Sequence, residues 1–206
     1  MMTAEKVAKE LLDKKAVKLN ADYSFVWASG INAPIYCDNR KLLSYPETRR
    51  HLVNAFAELI SEKYPKTDII AGVATGAIAW GVLVAEVLEK PFVYVRPQKK
   101  LHGLGNQIEG ELPAGQSVLV IEDLVSTGGS SLRAVDALRE QSAEVLGMLA
   151  LFSYNLPVAL KNFKAAFCDI TTLSDFDVLL KQAVRDGLIL ENDLKEMINW
   201  RNKQSK

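Results

Sequence analysis

Glu122 and Asp123 stand side by side after a hydrophobic run, Val118-Leu-Val-Ile121. A turn rich in hydroxyls and glycine, Ser126-Thr-Gly-Gly-Ser-Ser131, follows Leu124 and Val125. The run reads as a strand over Ser117 to Ile121, and the turn opens into a helix over Ser130 to Gln141. Glycines let backbone N–H groups approach an anion, and a helix N-terminus adds its positive dipole. With the hydroxyls of Ser126, Thr127, Ser130 and Ser131 as further donors, this turn is a cradle for a phosphate. The adjacent carboxylates can accept hydrogen bonds from vicinal sugar hydroxyls or hold a hydrated Mg2+. Together these residues predict a ribose 5-phosphate site at the carboxyl end of a sheet, where ligands of open α/β folds sit. No G-x-x-x-x-G-K-[ST] occurs, which excludes a Walker A loop, and Gly103-x-Gly105 lacks the third glycine of a dinucleotide fingerprint.

A second concentration of charge lies between Arg96 and Ser117, where PQKKLHGLGNQIEGELPAGQ shows neither helical nor strand periodicity. A compact domain rarely keeps a loop of that length unless it is functional or disordered. Arg96, Lys99, Lys100 and His102 all precede its first acid, Glu109. A lysine pair is ordinarily no more than a solvated surface feature. Opposite a phosphate motif, these cations fit the charge that develops on a departing anion. No Ser/His/Asp or Cys/His arrangement accompanies them, so the expected chemistry runs by positioning and electrostatics rather than through a covalent nucleophile. His51 and His102 are the only histidines and Cys37 and Cys168 the only cysteines, with no zinc-ligand spacing.

The elements that must hold these groups alternate along the chain. A first helix is predicted near Thr3 to Lys15, and an irregular flap or short strands over Trp27 to Arg40. Ser44 reads as an N-cap and Pro46 as an early helical proline, in a helix that turns Leu52, Val53, Phe56, Leu59 and Ile60 inward. Strands are predicted over Asp68 to Val73, Phe92 to Arg96, Val145 to Phe152 and Ala165 to Thr172, and a helix over Ala77 to Leu88. Two helices close the chain, one from Ser174 and one marked by Leu190, Leu194, Met197 and Ile198. Short apolar strands without polar alternation, each followed by a helix, indicate an α/β fold with a parallel sheet covered on both faces. Trp80, Trp200 and Cys168 read as packing residues and His51 as a surface one.

The 206 residues carry 25 Lys+Arg against 25 Asp+Glu, and this balance argues against a general binder of nucleic acid or anionic membrane. Ile69 to Ala85 is free of charge, but Gly72, Thr75 and Gly76 interrupt it, so a strand, a turn and a buried helix are expected rather than a membrane span. The charged, helix-periodic start MMTAEKVAKELLDKKAV does not read as a signal peptide, and two separated cysteines suit a reducing cytoplasm.

The stretch Val118 to Ser131 resembles the ribose-phosphate diphosphate (PRPP) signature of the type I phosphoribosyltransferases. Arg96-Pro-Gln-Lys-Lys-Leu-His-Gly103 is similar to the mobile catalytic loop of the orotate phosphoribosyltransferases. Ser29-Gly30 with Pro34-Ile-Tyr-Cys-Asp-Asn-Arg40 resembles that family's N-terminal hood over the orotate, and Gly72-Val-Ala-Thr-Gly-Ala77 its diphosphate-side loop. The resemblance implies one phosphoribosyltransferase domain over residues 1–206 with a parallel-sheet core flanked by helices. Its hood would lie mainly in residues 1–45 with C-terminal contributions, and its mobile loop at about residues 97–116. It implies transfer of the 5-phosphoribosyl group from PRPP to orotate in pyrimidine biosynthesis, by a cytoplasmic homodimer with loops shared between active sites. Glu122, Asp123, Leu124, Val125, Ser126, Thr127, Gly128, Gly129 and Ser130 match the PRPP motif, with Ser126 also beside the pyrimidine. Arg96, Lys100 and His102 match the loop residues that reach the diphosphate and act in catalysis. Tyr36, Cys37 and Arg40 are candidates for the orotate side, and Mg2+ would be held through PRPP rather than by a protein-only site. Pro97 stands where many relatives carry a second loop lysine. Ala28, Ser153-Tyr154 and Thr75-Gly76 stand where some carry cations, which leaves the contact to the orotate carboxylate unassigned. A PRPP-sensing regulator of the same fold and a purine phosphoribosyltransferase are the alternative readings.

Overall fold

The computed structural model describes residues 2–27, 30–98 and 107–204. Its centre is a sheet in the order β10-β9-β8-β5-β6-β7, formed by β5 (Ile69–Val73), β6 (Phe92–Val95), β7 (Ile108–Glu109), β8 (Ser117–Val125), β9 (Glu144–Ser153) and β10 (Ile170–Asp175). All neighbours run parallel except the short edge strand β7. β5, β8 and β9 are almost wholly apolar because both faces of the sheet are covered. The chain moves from β5 through α3 (Ala77–Val87) to β6 on one side. It then returns to β8 on the other side of β5 and continues outward through α4 (Gly129–Glu140) to β9. The direction of winding therefore reverses between β5 and β8, and right-handed crossovers place α3 and α4 on opposite faces.

Before the sheet come α1 (Ala4–Asp13), the short strands β1 (Val17–Leu19), β2 (Phe25–Val26), β3 (Asn32–Ala33) and β4 (Ile35–Cys37), a 3-10 helix (Asn39–Ser44) and α2 (Pro46–Lys63). α1 is capped by Thr3 and buries Val7, Ala8, Leu11 and Leu12, packing on β10 and on α6 (Phe176–Arg185). Ser44 is not an N-cap. It ends the 3-10 helix, and Tyr45, held extended by the proline that follows, takes the cap position without a side-chain hydrogen bond. Strand β8 runs four residues beyond the predicted end at Ile121, because β9 continues beside it and pairs Leu124 with Phe152 and Val125 with Ser153. The predicted strand over Ala165 to Thr172 is displaced by a helix, α5 (Pro157–Ala165), and β10 starts only at Ile170. Pro157 opens α5 at its first turn, and the apolar Ala165-Ala166 that suggested a strand belongs to its end. The uncharged run from Ile69 is divided between β5 and α3, and no helix among the described residues is long and apolar enough to cross a membrane.

A cluster of rings ties the N-terminal strands to the body. Trp27 stacks on Tyr154 with centroids 4.6 Å apart and takes the edge of Trp200 at 5.5 Å. The Trp27 indole donates to the Ile35 carbonyl at 2.9 Å, and the Trp200 indole, from α7 (Glu191–Asn202), donates to the Asn32 carbonyl at 3.0 Å. An aromatic pair contributes roughly 0.5–1.5 kcal/mol beyond its area, and a hydrogen bond roughly 0.5–1.5 kcal/mol net. Trp200→Ala is therefore expected to lower unfolding free energy by about 2 kcal/mol, whereas Trp200→Phe recovers the ring contact but not the bond to Asn32. Urea denaturation of the two variants measures both amounts, and equal losses would remove the hydrogen bond from this account.

Candidate active site

In open α/β sheets the crevice for a ligand opens beyond the carboxyl ends of the strands where the winding reverses. Here that place is the junction of β5 and β8. β5 gives way to Ala74-Thr75-Gly76, with a cis Ala74–Thr75 peptide, and α3 begins at Ala77. β8 brings Glu122 and Asp123 to the same level. A Cβ built on Gly76 would lie 2.1 Å from Asp123 Oδ2, so only glycine lets the carboxylate rest on this bare main chain.

Glu122 is 4% exposed. Ser131 Oγ donates to its Oε2 at 2.7 Å, and the Asp123 N–H donates to its Oε1 at 3.0 Å. Burial, and next the charge of Asp123, raise the Glu122 carboxyl well above the usual carboxylate range. Burial also raises Asp123, opposed by hydrogen bonds and by the charge of Arg40. The Asp123 carbonyl accepts from Asn39 Nδ2 at 2.6 Å. Val125 is buried and Leu124 half-buried against the core.

The turn that follows is built for a close approach. Gly128 has φ +79° and lies over Phe163, whose ring would be 2.7 Å from a Cβ. It also stands at the N-cap of α4 and offers no side chain to the helix's first N–H groups. Thr127 and Ser130 are exposed and Ser126 is half-buried. Ser131, expected to be a cradle donor, is buried and bonded to Glu122. Asn162 of α5 donates to the Thr127 carbonyl at 3.0 Å and holds the turn from outside.

Arg96 follows β6 at the same end of the sheet, since Val95 pairs with Val73. Its main chain exchanges hydrogen bonds with Gln107, and its guanidinium lies 3.6 Å from Glu109. Lys99, Lys100 and His102 lie outside the described residues, as do Ala28 and Ser29. On the N-terminal strands, Tyr36 is 41% exposed beside Phe25. The Cys37 side chain points inward. Its thiol donates to Asn39 Oδ1 at 3.1 Å, and burial raises it well above an ordinary thiol. Arg40 is paired with Asp38 at 2.7 Å and is otherwise largely exposed. Sequence reasoning missed Asn39, Asn162 and the seating of Asp123 on Gly76. Each acts across a long sequence separation and carries no local signal.

The phosphoribosyl transferase domain model matches residues 41–182. The chain is similar to the orotate phosphoribosyltransferase of Phocaeicola vulgatus, 52% identical over 202 residues, which are 98% of this chain and 95% of that one. The orotate phosphoribosyltransferase of Streptococcus mutans is 48% identical over 95% of this chain and 97% of its own. Among solved structures, the orotate phosphoribosyltransferase of Aeropyrum pernix superposes with a TM-score of 0.77 at 28% identity, covering 89% of this chain and 99% of that one. The Leishmania donovani UMP synthase gives 0.80 at 25% identity, over 97% of this chain and 42% of that one.

The burial of Glu122 has a sign that can be measured. A carboxyl raised on folding stabilises the fold while protonated, and that contribution is lost as pH climbs from the unfolded value through the raised folded one. Glu122→Gln keeps an acceptor for Ser131 and has no charge to desolvate. It is expected to be more stable than the parent at pH 8, with the advantage shrinking toward pH 4. Denaturant titrations at the two pH values decide this, and a constant difference would contradict it.

Proposed function

The chain belongs to the orotate phosphoribosyltransferases of the type I phosphoribosyltransferase family, and from that membership we propose how its residues divide the transfer of a 5-phosphoribosyl group from PRPP to orotate. The products are orotidine 5'-monophosphate and diphosphate, a step of pyrimidine biosynthesis. The observation that carries the assignment is the acid pair at the reversal of strand order. It is seated on Gly76 and lies next to a glycine turn whose following helix has no side-chain cap.

Glu122 and Asp123 accept hydrogen bonds from the ribose hydroxyls. A buried acid pair raised by its own desolvation gains from each added donor, which supports binding of the sugar hydroxyls here. The main chain from Leu124 and Val125 through Gly128 and Gly129, with the hydroxyls of Ser126, Thr127 and Ser130, encloses the 5-phosphate. Ser126 also borders the pyrimidine, with Tyr36 and the main chain of Cys37 on the opposite side. Rupture of the C1–O bond leaves positive charge on the sugar and negative charge on diphosphate. Arg96, Lys100 and His102 stabilise the latter, in the partner's site of a cytoplasmic homodimer, and His102 can donate a proton or hydrogen bond. Mg2+ would be held through PRPP and would supply positive charge to the leaving diphosphate. The oxygen-rich acid pair beside Gly76 is the hard donor set that such an ion accepts.

The test is loss of orotate absorbance with purified protein, PRPP and Mg2+, omitting each in turn. Loss that needs all three supports the assignment. Turnover of a purine base instead would discard the orotate half, and no turnover of any base would favour a regulator. Within that assay Lys100→Ala is expected to lower turnover by about 10²–10³ while PRPP binding changes far less, as for removal of one preorganised charge. Equal losses in both would take Lys100 out of the transition state.

A further inference from the structure

Asn39 is 1% exposed, and the proposed chemistry makes no use of it. Its side chain bonds the end of β8. β5 accompanies β8 only as far as the Gly72–Ile121 pair, while β9 continues to Val125. The end of β8 that carries the acid pair therefore projects with a strand on one side alone. At this end the Asn39 amide reaches across 84 residues and donates to the Asp123 carbonyl at 2.6 Å. The other end of the same amide accepts the Cys37 thiol proton at 3.1 Å. One end meets an acceptor with no proton to give and the other meets a donor, so a single orientation of the amide satisfies both.

We infer that Asn39 is a positioning residue for the acid pair, with Cys37 fixing the orientation of its amide. Together they hold the main chain at Asp123 at the depth where both carboxylates meet the ribose hydroxyls. This rests on the proposed ribose contact of Glu122 and Asp123. It also gives Cys37 a role that a ligand-facing side chain at this position would not have. The thiol is a fixed, buried donor, and serine can replace it where alanine cannot.

The experiment compares ribose 5-phosphate with 2-deoxyribose 5-phosphate as competitive inhibitors against PRPP. The parent, Asn39→Ala, Cys37→Ala and Cys37→Ser proteins are each measured. The parent is expected to prefer the hydroxylated sugar. Asn39→Ala should erode that preference by about tenfold, the scale of one buried polar group left unpaired. The affinity for the deoxy sugar and the KM for orotate should move little, while the KM for PRPP rises. Cys37→Ala should lose part of the preference and Cys37→Ser should keep it. A merely structural role would lower the folded fraction without altering the ratio of the two affinities. Asn39→Ala with the parent's ratio overturns the inference. If that variant does not fold, equal ratios in the two Cys37 variants overturn it instead. A parent that does not distinguish the sugars removes the ribose contact itself, a different failure from that of Asn39.

Discussion

Two carboxylates adjacent in sequence, at the projecting end of a strand covered on both faces, are expensive to keep out of water, and much of the surrounding structure answers that cost. Ser131 and the Asp123 N–H take one acid, Gly76 gives the other room, and Asn39 holds the carbonyl of Asp123. These supports come from α4, from the start of α3 and from the 3-10 helix near the N-terminus, so three separate parts of the chain converge on two residues. Burial raises both carboxyls despite these hydrogen bonds. The proposed ribose contact would add donors to the pair.

Where the expected phosphate and ribose site lies on one contiguous run of residues, its local geometry could be read without coordinates. The acid pair, the hydroxyl and glycine turn and the helix after it form one continuous stretch, and the structure keeps them in one place. The alternation of short apolar strands with helices likewise identified the parallel sheet, since only strands buried on both faces lack polar alternation. Local signals misled where a neighbour decided the outcome. β8 outran its predicted end because β9 was there to pair with it, and α5 was hidden behind an apolar run that serves equally well as the end of a helix.

The site's supports were illegible for a different reason. Asn39 looks like any polar residue before a helical turn, and its partner is a carbonyl, which no side-chain pattern advertises. Gly76 sits at an ordinary φ, so its necessity comes from what Asp123 places above it rather than from its own backbone. Gly128 differs. Its positive φ belongs to the turn, and the ring beneath it explains why even a residue tolerant of that conformation would not fit.

The ring cluster of Trp27, Tyr154 and Trp200, and the docking of α1 on α6 and β10, join the earliest segments of the chain to its latest. During synthesis, then, α1 must wait with Val7, Ala8, Leu11 and Leu12 uncovered until residues 170–185 have emerged. The N-terminal strands must wait longer, until Trp200 has been made. The sheet can assemble in the order of translation, but the packing of these N-terminal elements cannot. These early elements are therefore among the last to pack, and until then the nascent chain carries the uncovered apolar face of the amphipathic α1.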